Sequence, residues 1–237
     1  MCGIFGIVAK NFVDQDQFCQ LGEINKQRGN LAFGYFVGRL KSGPARSSGV
    51  DGHVYRYPRP FDTLWVTQEQ AQLILGHIRA PTGGQSANLA EIHPFEADDG
   101  YLAHNGLLLN PMDFPEWHIN PDIKVDSQVI IGGIQEQLDQ GLEISQAIKH
   151  TVESLDGQQA CWYWYRPELC LYLWRVMSPI YISTETDIFR FSSVKSWLAD
   201  TLLAEGIIYK FSLIDFVLTE VRNFTFHSPY HVSTGIQ

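Results

Sequence analysis

The sequence predicts an α+β fold in which two packed sheets are covered by helices, and three observations lead there. Strand-like apolar runs come in blocks, with the clearest helical patterns grouped between them. Regular alternation of strand and helix, the mark of a parallel sheet, is absent. Hydrophobic residues make up 45% and charged residues 18%, the balance of a globular chain. At 237 residues the chain can bury a sizeable core, and a single domain spanning 1–237 is expected.

The elements follow in order. Gly3–Ala9 is an apolar run of strand length. Asp14 suits the N-cap of a helix through Gln27, with Phe18, Leu21 and Ile24 on one face. Ala32–Leu40 is strand-like, and Lys41 to Pro60 reads as a loop rich in Gly, Ser and Pro. Ala71–Ala80 is a buried strand ended by Pro81-Thr82-Gly83-Gly84, and Tyr101–Leu109 is a further strand or hairpin. Val129, Ile130, Ile134 and Leu138 mark one face of a helix over Asp126–Gln140 that stops at Gly141. Ile144, Ala147, Ile148 and Val152 do the same for Leu142–Leu155. Gln159–Arg166 and Leu169–Arg175 form a predicted hairpin around Pro167, followed by strands at Ile180–Ser183 and Ile188–Ser193. Lys195–Ala204 reads as a helix, and Ile207–Val221 as strand-rich.

Charge narrows the function classes. A net charge of -9 and a pI near 5.3 argue against nucleic acid or an anionic membrane as main partner. No apolar run approaches the roughly 18 residues of a bilayer span, and the start has no secretory pattern, so the cytoplasm is the expected compartment. The cysteines are Cys2, Cys19, Cys161 and Cys170. They form no CxxC pair and join no histidine cluster, so neither a zinc nor a redox motif is supported. Cys19, Cys161 and Cys170 read as buried small hydrophobes, which leaves Cys2 as the position that suggests chemistry.

Cys2 lies behind Met1 in Met1-Cys2-Gly3-Ile4-Phe5-Gly6-Ile7. Removal of Met1 would put a thiol and a free α-amine on one residue, and an amine of pKa about 7.7–8.0 can take the proton of its own side chain. The plainer reading is a first strand with a buried Cys. Arg79, in Leu75-Gly76-His77-Ile78-Arg79-Ala80-Pro81-Thr82-Gly83, is either a snorkelling strand-end residue or a guanidinium fork for a carboxylate. Asn105-Gly106, in Ala103-His104-Asn105-Gly106-Leu107, is either a tight turn or a pair of donors for an oxyanion. Asp126 is either an N-cap or the partner of a substrate ammonium. Arg28-Gly29 reads as a helix stop.

In this order, the opening CGIxG, the Arg28-Gly29 pair, the GHxRxxT segment, His93-Pro94, the HNG and the Asp before a helix resemble the class II glutamine amidotransferase domain. The resemblance runs from Cys2 to roughly Trp197 and is nearest the glutaminase halves of glucosamine-6-phosphate synthase and of the amidotransferase that opens purine synthesis. It implies the four-layer αββα sandwich of N-terminal nucleophile hydrolases, with two antiparallel sheets flanked by helices. It implies L-glutamine as substrate, Cys2 as nucleophile, and Asn105 and Gly106 as oxyanion donors. Arg79 would pair with the substrate carboxylate and Asp126 with its ammonium. Thr82 and Arg28 match residues beside the glutamine site and the nucleophile. No metal or organic cofactor is implied.

Some positions depart from the family pattern. Leu31 stands where many members carry Asp, Ala80 where an aromatic is usual, and Arg175-Val176-Met177-Ser178-Pro179 lacks the glycine of the corresponding turn. About 40 residues follow the resemblance, too few for a further catalytic domain. The expected function is therefore a glutaminase subunit that passes ammonia to a synthase on a separate chain. The aromatic hairpin of Trp162, Tyr163, Trp164, Tyr165, Tyr172 and Trp174 either offers a face to that partner or splits between core and solvated edge. Two other functions remain open: a stand-alone amidohydrolase for another γ-glutamyl amide, and a non-catalytic module that binds glutamine or docks to a partner.

Overall fold

The computed structural model describes residues 1–41, 49–80, 88–115, 117 and 125–226. The strands are β1 (Gly3–Ala9), β2 (Ala32–Leu40), β3 (Val50–Tyr57), β4 (Leu73–Arg79), β5 (Phe95–Ala97), β6 (Gly100–His104), β7 (Leu107–Leu108), β8 (Gly157–Tyr165), β9 (Cys170–Val176), β10 (Tyr181–Thr184), β11 (Ile188–Ser192), β12 (Thr201–Leu202), β13 (Ile207–Ser212) and β14 (Val217–Asn223). The helices are α1 (Gln15–Asn25), α2 (Ser127–Asp139) and α3 (Ile144–Glu153). One sheet runs β12-β10-β11-β1-β4-β2-β3, and the other β14-β13-β9-β8-β6-β5 with β7 beside β8. Neighbouring strands in both are antiparallel.

Alternation along the strands builds the layers. Ile4 and Val8 of β1, with Leu73 and Leu75 of β4, face Trp162 and Trp164 of β8 and Leu171 and Leu173 of β9 across the space between the sheets. The intervening Phe5, Ile7 and Ile74 pack outward against Phe18 and Leu21 of α1. On the far side, Cys161, Tyr163, Tyr172 and Trp174 lie under Val129, Ile130 and Ile134 of α2 and Ile148 and Val152 of α3. The result is the expected αββα sandwich. A hydrogen bond from Trp162 Nε1 to the Gly76 carbonyl, 3.2 Å long, joins the two sheets through this core.

Local chemistry accounts for the ends. The Asp14 carboxylate accepts from the Asp16 and Gln17 N–H groups, capping α1 as its sequence predicts, and a 3-10 turn at Lys26–Arg28 closes it. Among the described residues no helix is long and apolar enough to cross a membrane.

Four expectations need correction. The stretch from Lys41 to Pro60 contains β3, whose half-exposed residues show little apolar signal but pair with β2 from Phe33↔Tyr57 to Leu40↔Val50. Lys195–Ala204 is not a helix: Ser196 and Ala199 form a bridged turn, and β12 pairs with β10 at the sheet edge, so tertiary pairing overrides local propensity. The aromatic hairpin offers neither a partner face nor a solvated edge. β8 and β9 are interior strands covered on both faces, and its Trp162, Tyr163, Trp164, Tyr172 and Trp174 are buried. Cys19 is half-buried, on α1, while Cys161 and Cys170 are buried as expected.

Trp162→Ala removes both core volume and the link between sheets. It is expected to cost about 3–5 kcal/mol, read as a lower urea midpoint at unchanged m-value.

Candidate functional site

β1 lies between β4 and β11, and the pairing of Gly3 with Ile78 sets Cys2 alongside Arg79 and Ala80. The Ala80 N–H donates to Cys2 Sγ at 3.4 Å. Arg28, on the turn after α1, donates from Nε to the Cys2 carbonyl at 2.8 Å, which fixes the backbone behind the sulfur. Burial pushes the Cys2 thiol up, and the Ala80 N–H and the chain's N-terminal charge pull it back only in part. Asp126 raises it further and Arg79 lowers it, so a carboxylate and a guanidinium both act on the sulfur. Ala80 is buried, and a Cβ on Gly29 would lie 2.5 Å from its Cα, so this approach of backbone to backbone requires glycine.

Asn105 follows β6 and is 0% exposed. Its backbone is locked to β8 by exchange with Ala160, N–H to carbonyl at 2.8 Å and carbonyl to N–H at 3.0 Å. Its Nδ2 donates to Ser193 Oγ at 3.1 Å, and the same oxygen accepts the Ile4 N–H at 3.1 Å. Ser193 thus ties β1 to Asn105 of the other sheet. A carboxamide carries two N–H groups, so one remains for a further acceptor. At Gly106 a Cβ would lie 1.8 Å from the Gln158 carbonyl oxygen and 2.5 Å from His104 Nε2, and no side chain fits there.

Arg79 ends β4 with its side chain largely enclosed. Its Nη2 pairs with Glu91 Oε2 at 2.9 Å, and its buried Nη1 has no hydrogen-bond partner among the described residues. Asp126 precedes α2 without capping it. Its Oδ2 accepts the Leu108 N–H at 2.9 Å, and its Oδ1 is 3.7 Å from His104 Nδ1. Burial works to raise the Asp126 carboxyl, but His104 and the N–H groups of Leu108 and Ser127 outweigh it and hold the carboxyl below the usual carboxylate range. Behind it, Ser127 Oγ lies 2.7 Å from His93 Nε2 and 3.1 Å from His104 Nδ1. The ring of His93 lies 4.0 Å from that of His77, centroid to centroid. Burial, then the charge of nearby His104, brings His77 down to about 3, and burial holds His93 well below its ordinary value.

Cys2, Arg28, Arg79, Asn105, Gly106 and Asp126 are thus gathered at one end of the sandwich, whereas Thr82 lies outside the described residues. Sequence reasoning missed Ser193, Glu91, Ser127 and His77 as members of this site. The serines carry no local signal, and His93 and His104 stood in motifs without a role. Among the described residues no cluster of three or more His, Cys, Asp and Glu is placed to hold a metal. A cleft of about 410 Å³, lined by Met1, Arg28, Tyr181, Ser193 and Lys195 among others, opens beside the start of β1. The arrangement combines a thiol, free N–H donors, a cation and an anion in a small space, which suits attack on a carbonyl carried by a zwitterion.

No protein-family model matches the chain, and no curated protein does. Solved structures do. The glutamine phosphoribosylpyrophosphate amidotransferase from B. subtilis, complexed with ADP and GMP, matches with a TM-score of 0.70 at 17% identity, over 93% of this chain and 49% of that one. An allosteric regulatory enzyme of purine biosynthesis matches with a TM-score of 0.70 at 18% identity, over 96% of this chain and 50% of the other. A glutamine aminotransferase class-II domain protein from Silicibacter pomeroyi matches with a TM-score of 0.57 at 14% identity, over 94% of this chain and 100% of that one. This chain therefore spans about half the length of the first two. At these identities the likeness shows the fold alone, the sandwich of two antiparallel sheets that this chain shares with those structures.

The raised Cys2 thiol has a consequence for reactivity while Met1 is present. A higher pKa lowers the thiolate fraction at a given pH, so alkylation of Cys2 by iodoacetamide should be slow at pH 7. It should keep rising beyond pH about 8.5, where an ordinary thiol levels off. Mass-spectrometric rates that level off below that pH would contradict the burial argument.

Proposed function

We propose, with that fold as the premise, that the chain hydrolyses L-glutamine to glutamate and ammonia through a γ-glutamyl thioester on Cys2. One observation carries the reading: Arg79 and Asp126, of opposite charge, both act on the Cys2 sulfur, and Ser193 ties Asn105 to the same strand. Glutamine has an α-carboxylate and an α-ammonium of matching signs, and its carboxamide then falls over the sulfur. Arg79 Nη1, buried and without a partner among the described residues, is the donor for the carboxylate. Asp126 Oδ1 receives the ammonium.

A thiol pushed up by burial is a poor nucleophile at neutral pH and needs a base beside it. Loss of Met1 supplies one, the Cys2 α-amine. The amine takes the thiol proton, the thiolate forms a bond to the carboxamide carbon, and the carbonyl π electrons move onto oxygen. The second Asn105 Nδ2–H and the Gly106 N–H stabilise that oxyanion. As the carbonyl reforms, the carbon–nitrogen bond breaks and the protonated amine gives its proton to the departing ammonia. Water, deprotonated by the same amine, then attacks the thioester and releases glutamate and the thiol. Arg28 orients the nucleophile through the Cys2 carbonyl, and Thr82 is assigned to the backbone of the glutamine site. The ammonia passes to a synthase on a separate polypeptide.

The test is glutamate release by the Met1-processed protein, with removal of Met1 verified by intact mass. Cys2→Ala should abolish release, Arg79→Ala should raise KM, and Asn105→Ala should lower kcat by roughly 10²–10³. Release that persists in Cys2→Ala would refute the thioester. Recovery of a synthase with the protein from its native host supports the partner, and recovery of none counts against it.

A further inference from the structure

The cleft beside the start of β1 carries a charge opposite to that of the chain. Over the whole sequence 26 acidic residues outnumber 17 lysines and arginines. Among the described residues that line the cleft, the charged ones are Arg28 and Lys195, and no Asp or Glu joins them. Neither cation has a carboxylate partner elsewhere among the described residues. Arg28 donates from Nε to the Cys2 carbonyl and from Nη2 to the Met1 sulfur at 3.5 Å, so both contacts go to uncharged atoms. Burial pulls the Arg28 guanidinium below its ordinary value, and only Cys2 and Tyr181 act against it. A half-buried cation without a counter-ion is costly, and the cost falls when an anion enters.

Three parts of the fold supply the donors. Arg28 comes from the turn after α1, Tyr181 opens β10, and Lys195 follows β11. With Nε committed to the backbone, the Arg28 fork keeps its Nη groups, and Nη2 is held only by a thioether, a weak acceptor. Lys195 is exposed, and the Tyr181 hydroxyl has no hydrogen-bond partner among the described residues. The volume of about 410 Å³ lies within the roughly 300–1,000 Å³ of small-ligand sites. A phosphate group offers three oxygens and about two charges, which match a planar fork, a point cation and a hydroxyl. A carboxylate group offers two oxygens and one charge. We propose that this cleft binds a phosphate group, as the free ion or as the monoester of a small molecule, independently of the glutamine reading. When Met1 leaves, Arg28 Nη2 loses its sulfur contact and the cleft extends to the Cys2 α-amine. The bound anion then stands beside the nucleophile without engaging Arg79 or Asp126.

Calorimetric titration of the full chain, freed of Met1, tests this with glycerol 3-phosphate, inorganic phosphate and succinate as probes. The titrations run at pH about 8 in about 0.15 M salt, where exposed charges are screened beyond roughly 8 Å. At least one phosphate probe should bind saturably at one site, about tenfold or more tighter than succinate. Lys195→Gln should weaken that binding about tenfold, the scale of one charge-assisted hydrogen bond, and Lys195→Arg should retain most of it. Circular dichroism verifies that both variants keep the fold. Tighter binding of glycerol 3-phosphate than of inorganic phosphate supports the monoester, and equal affinity supports the free ion. No saturable binding, equal affinity for succinate, or unchanged binding in Lys195→Gln overturns the proposal. Glutamate release plays no part in the readout, so a failure of the glutaminase reading leaves this result standing.

Discussion

The site depends on β1 being held on both edges. Pairing with β4 brings the Arg79 and Ala80 backbone to Cys2, and pairing with β11 brings Ser193, whose oxygen reaches the Ile4 N–H. A strand in that position must be apolar on both faces. Gly3–Ala9 meets the condition: every residue is buried, one set toward the other sheet and the other toward α1. A slip of one residue would exchange these two sets and carry the sulfur away from Ala80, so the core packing sets the position of the thiol.

Polar groups that the apolar layers exclude are concentrated at the end of β1. Arg79 has one nitrogen on Glu91 and another buried without a partner among the described residues, and a buried donor left unpaired is costly by about 1–3 kcal/mol. Among the described residues Asn105 keeps its Oδ1 buried and without a hydrogen-bond partner. A second set, Gln159 Nε2, the Tyr163 hydroxyl and Trp164 Nε1, lies along β8. Such a departure from polar satisfaction is expected where a ligand completes the set.

Much of this was legible in the residues. β1 and β2 have the limits that their apolar runs predict, because a strand buried on both faces leaves an unbroken apolar signal. Asp14 caps α1 as read, and β1 sets Cys2 beside the Ala80 N–H that follows Arg79. What escaped shares one cause. β3 is half exposed, β5 has three residues and β12 has two, so their pairing owes more to neighbours than to pattern. Asp126 reads as an N-cap from its place before a helix, yet its side chain turns to Leu108, a contact set by the meeting of β7 and α2. Ser127 and Ser193 are ordinary in sequence and act through partners 23 to 189 positions away. Met177 takes a φ of 63° in the turn where the sequence resemblance leads one to expect glycine, a strain that only the backbone reveals.

The order of strands in the first sheet also orders events during synthesis. β1 is made well before one of its neighbours, β11, with Ile7 opposite Arg190. At about 5–20 residues per second, the chain between them takes roughly 10–40 s to emerge. Through that interval β1 can pair on one side at most, and its beginning lies uncovered at the sheet edge. Met1 is exposed in the finished fold as well, so what the delay governs is the enclosure of the Cys2 sulfur and not access to Met1.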